Sequence, residues 1–188
     1  MEPDLAVLAA EGVYRLRRAD YDRLVATGAL EGQQVELLHG VIVPMSPQGP
    51  PHAAVIRRLN RWLTPALLGR AEVNVQAPFA TADSEPEPDL SVVTLGGDDD
   101  RHPTEAYLVV EVSVTSQRRD RGIKADLYAS AGVPEYWVID LATRSVLVHL
   151  DPCDGRYTSL HTRRDGDTLV VAAFPDLTLP VAEVLPRP

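Results

Sequence analysis

The stretch from Ala106 to Asp140, AYLVVEVSVTSQRRDRGIKADLYASAGVPEYWVID, constrains this chain more than any other. It opens on a short β-branched apolar run, Tyr107 to Val112, broken only by Glu111. Such a run reads as a buried strand. Ser116 is placed to cap a helix on which Ile123, Leu127 and Ala131 recur at four-residue steps. Gly132 and Pro134 stop that helix, and Tyr136 to Ile139 read as a second buried strand. Strand, helix, strand over this length is a βαβ unit, with parallel strands and a right-handed crossover. The expected class is α/β, mixed α+β.

A carboxylate inside a buried strand is costly unless a cation or hydrogen-bond donor meets it. Three acids lie on or beside apolar runs: Glu36, Asp89 and Glu111. Asp89 precedes one strand and Glu111 ends the next, so both reach one sheet edge. Ser113 shares the face of Glu111, because side chains alternate along a strand. The chain has 18 basic residues, and Lys124 is the sole lysine among them. Lysine differs from arginine as a compact, mobile charge. Asp120 stands four residues before it, which places the pair on one helix stripe. That spacing equally suits a simple surface ion pair. Two or three carboxylates with one lysine suit a hard cation, Mg²⁺ or Mn²⁺, with the Val112 carbonyl as a further ligand. Such a centre activates water against a phosphodiester, and the lysine stabilises the charge that develops.

Elsewhere the chain reads in order. Residues 1–12 form a tail, and Asp20 to Ala26 a short helix with Tyr21, Leu24 and Val25 on its apolar side. Val35 to Val43 is a hairpin folded at Gly40, followed by a proline-rich loop through Pro51. A long helix is expected from His52 to Leu68, its last turn kinked by Pro65. His52 either caps that helix or meets a phosphate or a metal-bound water. Val73 to Phe79 reads as a strand in which Gln76 serves a strand hydrogen bond or orients Glu111. Asp98 to Asp100 is a solvated loop. Arg118, Arg119 and Arg121 are either a solvated helix start or partners for a phosphate backbone. Tyr128 and Trp137 are expected in the core. Val146 to Leu150, Tyr157 to His161 and Leu169 to Ala172 form an antiparallel meander closed by a Pro175-Asp176 turn. No linker or repeat divides the chain, so 1–188 is read as one domain with 13–184 as its body.

A net charge of −9 argues against general, sequence-independent affinity for nucleic acid, so any such contact must be local. Cys153 is alone, which suits a reducing cytoplasm. The start of the chain lacks the pattern of a signal peptide, and no apolar run approaches the ~20 residues of a membrane helix.

Pro88-Asp89, Glu111-Val112-Ser113, then Asp120 and Lys124 resemble the PD-(D/E)XK nuclease pattern, with Ser113 where that pattern has lysine and Lys124 as a migrated substitute. The closer resemblance is to the Uma-two family of restriction endonucleases. It is carried by VELLHGVIVPMSP, PEPDLSVV, LVVEVSVTS, RDRGIKADLYASAGVPEYWVID and PDLTLPVAEV, and spans about Val13 to Val184. It implies a restriction-endonuclease-like αβββαβ core with an N-terminal hairpin and a C-terminal meander. It also implies a metal at Asp89 and Glu111, with Glu36 as a further acid, DNA as substrate, and a homodimer. Two rival expectations stand beside the endonuclease. One is a catalytically silent binding or regulatory module of this fold; the other is a metal-dependent hydrolase of small phosphate substrates, which would suit the acidic surface.

Overall fold

The computed structural model describes residues 12–114 and 122–186. Ser116, Arg118, Arg119, Asp120 and Arg121 lie outside the described residues, as does most of the expected tail. Four helices and ten strands are described: α1 (Arg18–Ala26), β1 (Val35–Leu38), β2 (Val41–Pro44), α2 (Pro50–Ala66), β3 (Glu72–Val75), β4 (Leu90–Val93), β5 (Leu108–Ser113), α3 (Lys124–Ser130), β6 (Glu135–Asp140), β7 (Ser145–Cys153), β8 (Arg156–Arg163), β9 (Thr168–Val171), β10 (Phe174–Pro180) and α4 (Val181–Val184).

Strands β3 to β8 make one sheet in chain order. All neighbours are antiparallel except β5 and β6, which run parallel as the βαβ pattern requires. Alternation along β5 divides the core. Leu108, Val110 and Val112 join Trp137, Ile139 and the α2 stripe Val55, Ile56, Leu59 and Leu63 on one face. Val109 points the other way, with Tyr136, Val138 and the α3 residues Ala125, Leu127 and Tyr128. Glu111 therefore falls on the α3 face, opposite Lys124.

Hairpin β1–β2 turns at His39 (φ 48°) and Gly40 (φ 77°). A side chain at Gly40 would strike Arg15 and the Leu16 carbonyl, both 2.8 Å from its Cβ. The segment before β4 is stitched to this hairpin: Leu37 and Glu85 exchange backbone hydrogen bonds of 3.2 and 2.8 Å. That stitch brings Glu36 to the end of the sheet where β4 begins and β5 ends.

Several boundaries differ from expectation. Pro50 and Pro51 begin α2 rather than preclude it, because a first-turn proline gives up no intrahelical hydrogen bond. Pro65 is followed by the helix end at Ala66. Strand β3 stops at Val75: Gln76 takes a positive φ of 50°, and Pro78 beyond it has no N–H to donate. Ile123 is 48% exposed in the turn before α3, so it does not belong to the buried stripe. The expected C-terminal meander is split. The β7–β8 hairpin extends the main sheet, whereas β9 pairs with β10 alone. Leu169, Val171, Phe174 and Leu179 bury that second hairpin against the α2 face. Its turn falls between Val171 and Phe174, and Pro175-Asp176 occupies the irregular stretch of β10, where a missing N–H costs no ladder bond.

Candidate active site

A narrow recess of about 70 Å³ opens at the end of the sheet where β4 starts and β5 finishes, bounded by the loop between β2 and α2. Glu36, Glu87, Asp89, Glu111, Lys124 and His52 line it, together with Gln48 and Val112. Glu36, Asp89, Glu111 and Lys124 are each at most 6% exposed.

Lys124 opens α3, and its ammonium reaches across to two strands. Nζ lies 2.8 Å from Glu111 Oε1 and 3.0 Å from Glu36 Oε2. The Tyr128 hydroxyl, one turn further along α3, donates to the same Glu111 oxygen at 3.1 Å. Burial and the charge of Glu111 push the Tyr128 phenol well above its usual range, so it stays protonated as a donor. Glu36 also accepts the Glu87 backbone N–H at 3.4 Å.

Asp89 is held from three sides. Its Oδ2 accepts the Val112 backbone N–H at 2.7 Å and lies 3.0 Å from His52 Nε2. Its Oδ1 accepts from Gln48 Nε2 at 3.3 Å. The tautomer that serves Asp89 carries its proton on Nε2, and His52 Nδ1 is a buried nitrogen without a hydrogen-bond partner. His52 is therefore a recess residue, not only the opening of a helix.

Four carboxyl groups thus converge on one ammonium and one imidazole. Burial first, then the charge of Glu36, raises the Glu87 carboxyl above its ordinary range, while Lys124 pulls it down. Among the described residues, no group of three His, Cys, Asp or Glu side chains forms a ready-made metal cage. The donor set still fits a hard divalent cation: the oxygens are carboxylates, and negative charge exceeds the lysine that meets it.

Ser113 is fully buried behind the recess and does not line it; its carbonyl accepts the Leu141 N–H at 3.0 Å. Gln76 is exposed, bonds the Asp89 carbonyl through its backbone N–H at 3.2 Å, and lines an adjoining groove. Asp98 to Asp100 is an exposed loop. Trp137 is core, as expected. Gln48 and Glu87 join the site without having been singled out from the sequence; Tyr128 lies in the core, as expected, and reaches the site through its hydroxyl. Tyr128 is four residues after Lys124, a spacing that places both on one helix face and was legible. Glu87 stands two before Asp89 in the PEPD run; Gln48 gave no signal.

The fold resembles the crystal structure of a "putative nuclease" from Anabaena variabilis, with a TM-score of 0.62 at 19% identity, over 80% of this chain and 88% of that one. No curated protein matches. The chain belongs to the Uma2 family, described as "putative restriction endonuclease", which it matches over residues 18–182.

Proposed function

We propose that the recess is the active centre of a Mg²⁺- or Mn²⁺-dependent endonuclease that hydrolyses phosphodiester bonds in DNA. The observation that carries this reading is Lys124 Nζ, buried between Glu111 and Glu36 beside Asp89. Asp89 and Glu111, with the Val112 carbonyl, would hold the cation, which when bound acts as Lewis acid toward the phosphate and lowers the pKa of water. The chain's own groups supply the rest. Glu36 and Glu111 hold Lys124 in place, so that its ammonium meets negative charge building on the phosphate without having to reorganise. Tyr128 holds Glu111 in place. His52 and the Val112 N–H set the orientation of Asp89. Asp120, expected to help hold Lys124, lies outside the described residues; among those described, Glu36 does so.

The same proposal takes 13–184 as one domain in a reducing cytoplasm and two copies as a two-fold pair, one for each strand of a duplex. Among the described residues no helix is long and apolar enough to cross a membrane.

Plasmid nicking in Mn²⁺ tests the reading. Wild type is expected to cut, and Lys124→Arg to lose about 10²–10³ in rate, as when a positioned electrostatic donor is removed. The planar guanidinium does not fit between two carboxylates placed for an ammonium. Undiminished cutting by Lys124→Arg would remove the lysine from the chemistry. The silent-module reading is favoured by one observation: the Asp89 and Glu111 oxygens already accept hydrogen bonds from protein donors. It predicts no cutting by wild type across metals and substrates.

A further inference from the structure

Beside the acid recess lies a second groove of about 400 Å³. The two share Met45, Ser46, Gln48 and Glu87, so they form one continuous surface. The chain has five glutamines, and four of them line this groove: Gln33, Gln34, Gln48 and Gln76. They come from three separate segments. The Gln34 carbonyl accepts the Met45 N–H at 2.9 Å, which ties the segment before β1 to the loop that carries Gln48. Gln76 arrives from the end of β3, on a left-handed backbone (φ 50°) fixed by its N–H to the Asp89 carbonyl. A glutamine in that conformation is uncommon, and such strain tends to persist where a side chain must be aimed. Neither arginine nor lysine lines the groove.

A surface of four amides, with Glu87 at its border with the recess and no cation, is suited to an uncharged part of the substrate whose phosphate the recess would handle. An amide offers an adjacent donor and acceptor, the pattern that a base edge returns, with adenine as the best match for glutamine. We infer that this groove receives a nucleobase of the strand whose phosphate enters the acid recess, an inference that rests on the nuclease reading of that recess. Gln34 and Gln76 make the base contacts, and Gln48 bridges the two sites through its bond to Asp89. The enzyme would then choose where to cut by reading bases next to the scissile bond, and less by phosphate charge.

Fluorescence anisotropy with a labelled single-stranded oligodeoxynucleotide tests this, using the same strand made abasic at its central positions for comparison and Ca²⁺ to offset the acids. Wild type is expected to bind the base-bearing strand about tenfold more tightly, the scale of one good base contact. Gln34→Ala/Gln76→Ala should bring that ratio close to one while leaving the salt dependence unchanged. A double variant that keeps the full ratio, or a wild type without any, overturns the inference. Should the double variant fail to fold, Gln34→Ala alone carries the comparison from an exposed loop, with a reduced ratio expected. Plasmid cutting separates the two readings. Wild type that cuts but shows no base preference overturns the groove alone. Base preference lost in the variant, with no cutting by wild type in any metal, upholds the groove and overturns the nuclease.

Discussion

Glu111 and Glu135 are both buried glutamates on neighbouring parallel strands, yet they do opposite things. Glu111 faces α3 and meets charge: the Lys124 ammonium, with Tyr128 on the same oxygen. Glu135 faces the other way and meets only neutral donors. Its Oε1 accepts Trp137 Nε1–H, and its Oε2 accepts the Ala172 backbone N–H, each at 2.7 Å. The second of these bonds fastens the β9–β10 hairpin to the main sheet, while the first stays within β6. Burial raises the Glu135 carboxyl above its ordinary range, and both hydrogen bonds resist the rise. Burial alone therefore does not mark a reactive acid. What distinguishes Glu111 is a buried lysine ammonium, further carboxylates and an opening to the outside.

The largest break in this comparison comes from removing the cation. Lys124→Met leaves Glu36 and Glu111 buried without their ammonium, and is expected to cost about 3–5 kcal/mol of stability as well as nicking activity. Urea denaturation beside a nicking assay reads both. Adding Glu36→Gln and Glu111→Gln should recover stability without recovering activity; recovered activity would break the assignment. Glu135→Ala comes next. It orphans two donors and should cost about 1–3 kcal/mol while nicking per folded molecule stays at the wild-type rate. Loss of specific activity there would erase the distinction between the two glutamates.

The smallest effect is a slope with pH. Glu85, stitched to β1, has its carboxyl raised from 4.5 to about 7 by burial, then by the charge and hydrogen bond of Asp22. The folded state thus holds this proton more tightly than the unfolded chain. Its contribution is complete below pH 4.5 and is lost as pH rises through about 7. Glu85→Gln should flatten the decline in melting temperature across that window. An unchanged slope would assign the decline to other groups.

The βαβ unit was legible because its signals are local: apolar runs and a Gly-Pro stop, although Ile123 of the four-residue period is exposed. The acids Asp89 and Glu111 were legible for a related reason, as charges that contradict the runs around them. Glu135 escaped because it stands at the edge of its run, where an acid looks like a strand end. The fate of β9 escaped as well. Its alternating pattern suits any partner strand, and only the apolar α2 face decides that it leaves the sheet. Glu36 sat on a hairpin whose exposure the sequence left open; the backbone stitch between Leu37 and Glu85, a long-range contact, is what turns it inward.

Because Lys124 is the chain's sole lysine and is 4% exposed, the folded protein presents no accessible ε-amine. Acylating reagents should therefore modify this side chain only when the acids around it let go. The rate of that acylation would serve as a clock for the opening of the recess, readable by mass spectrometry without any substrate or metal.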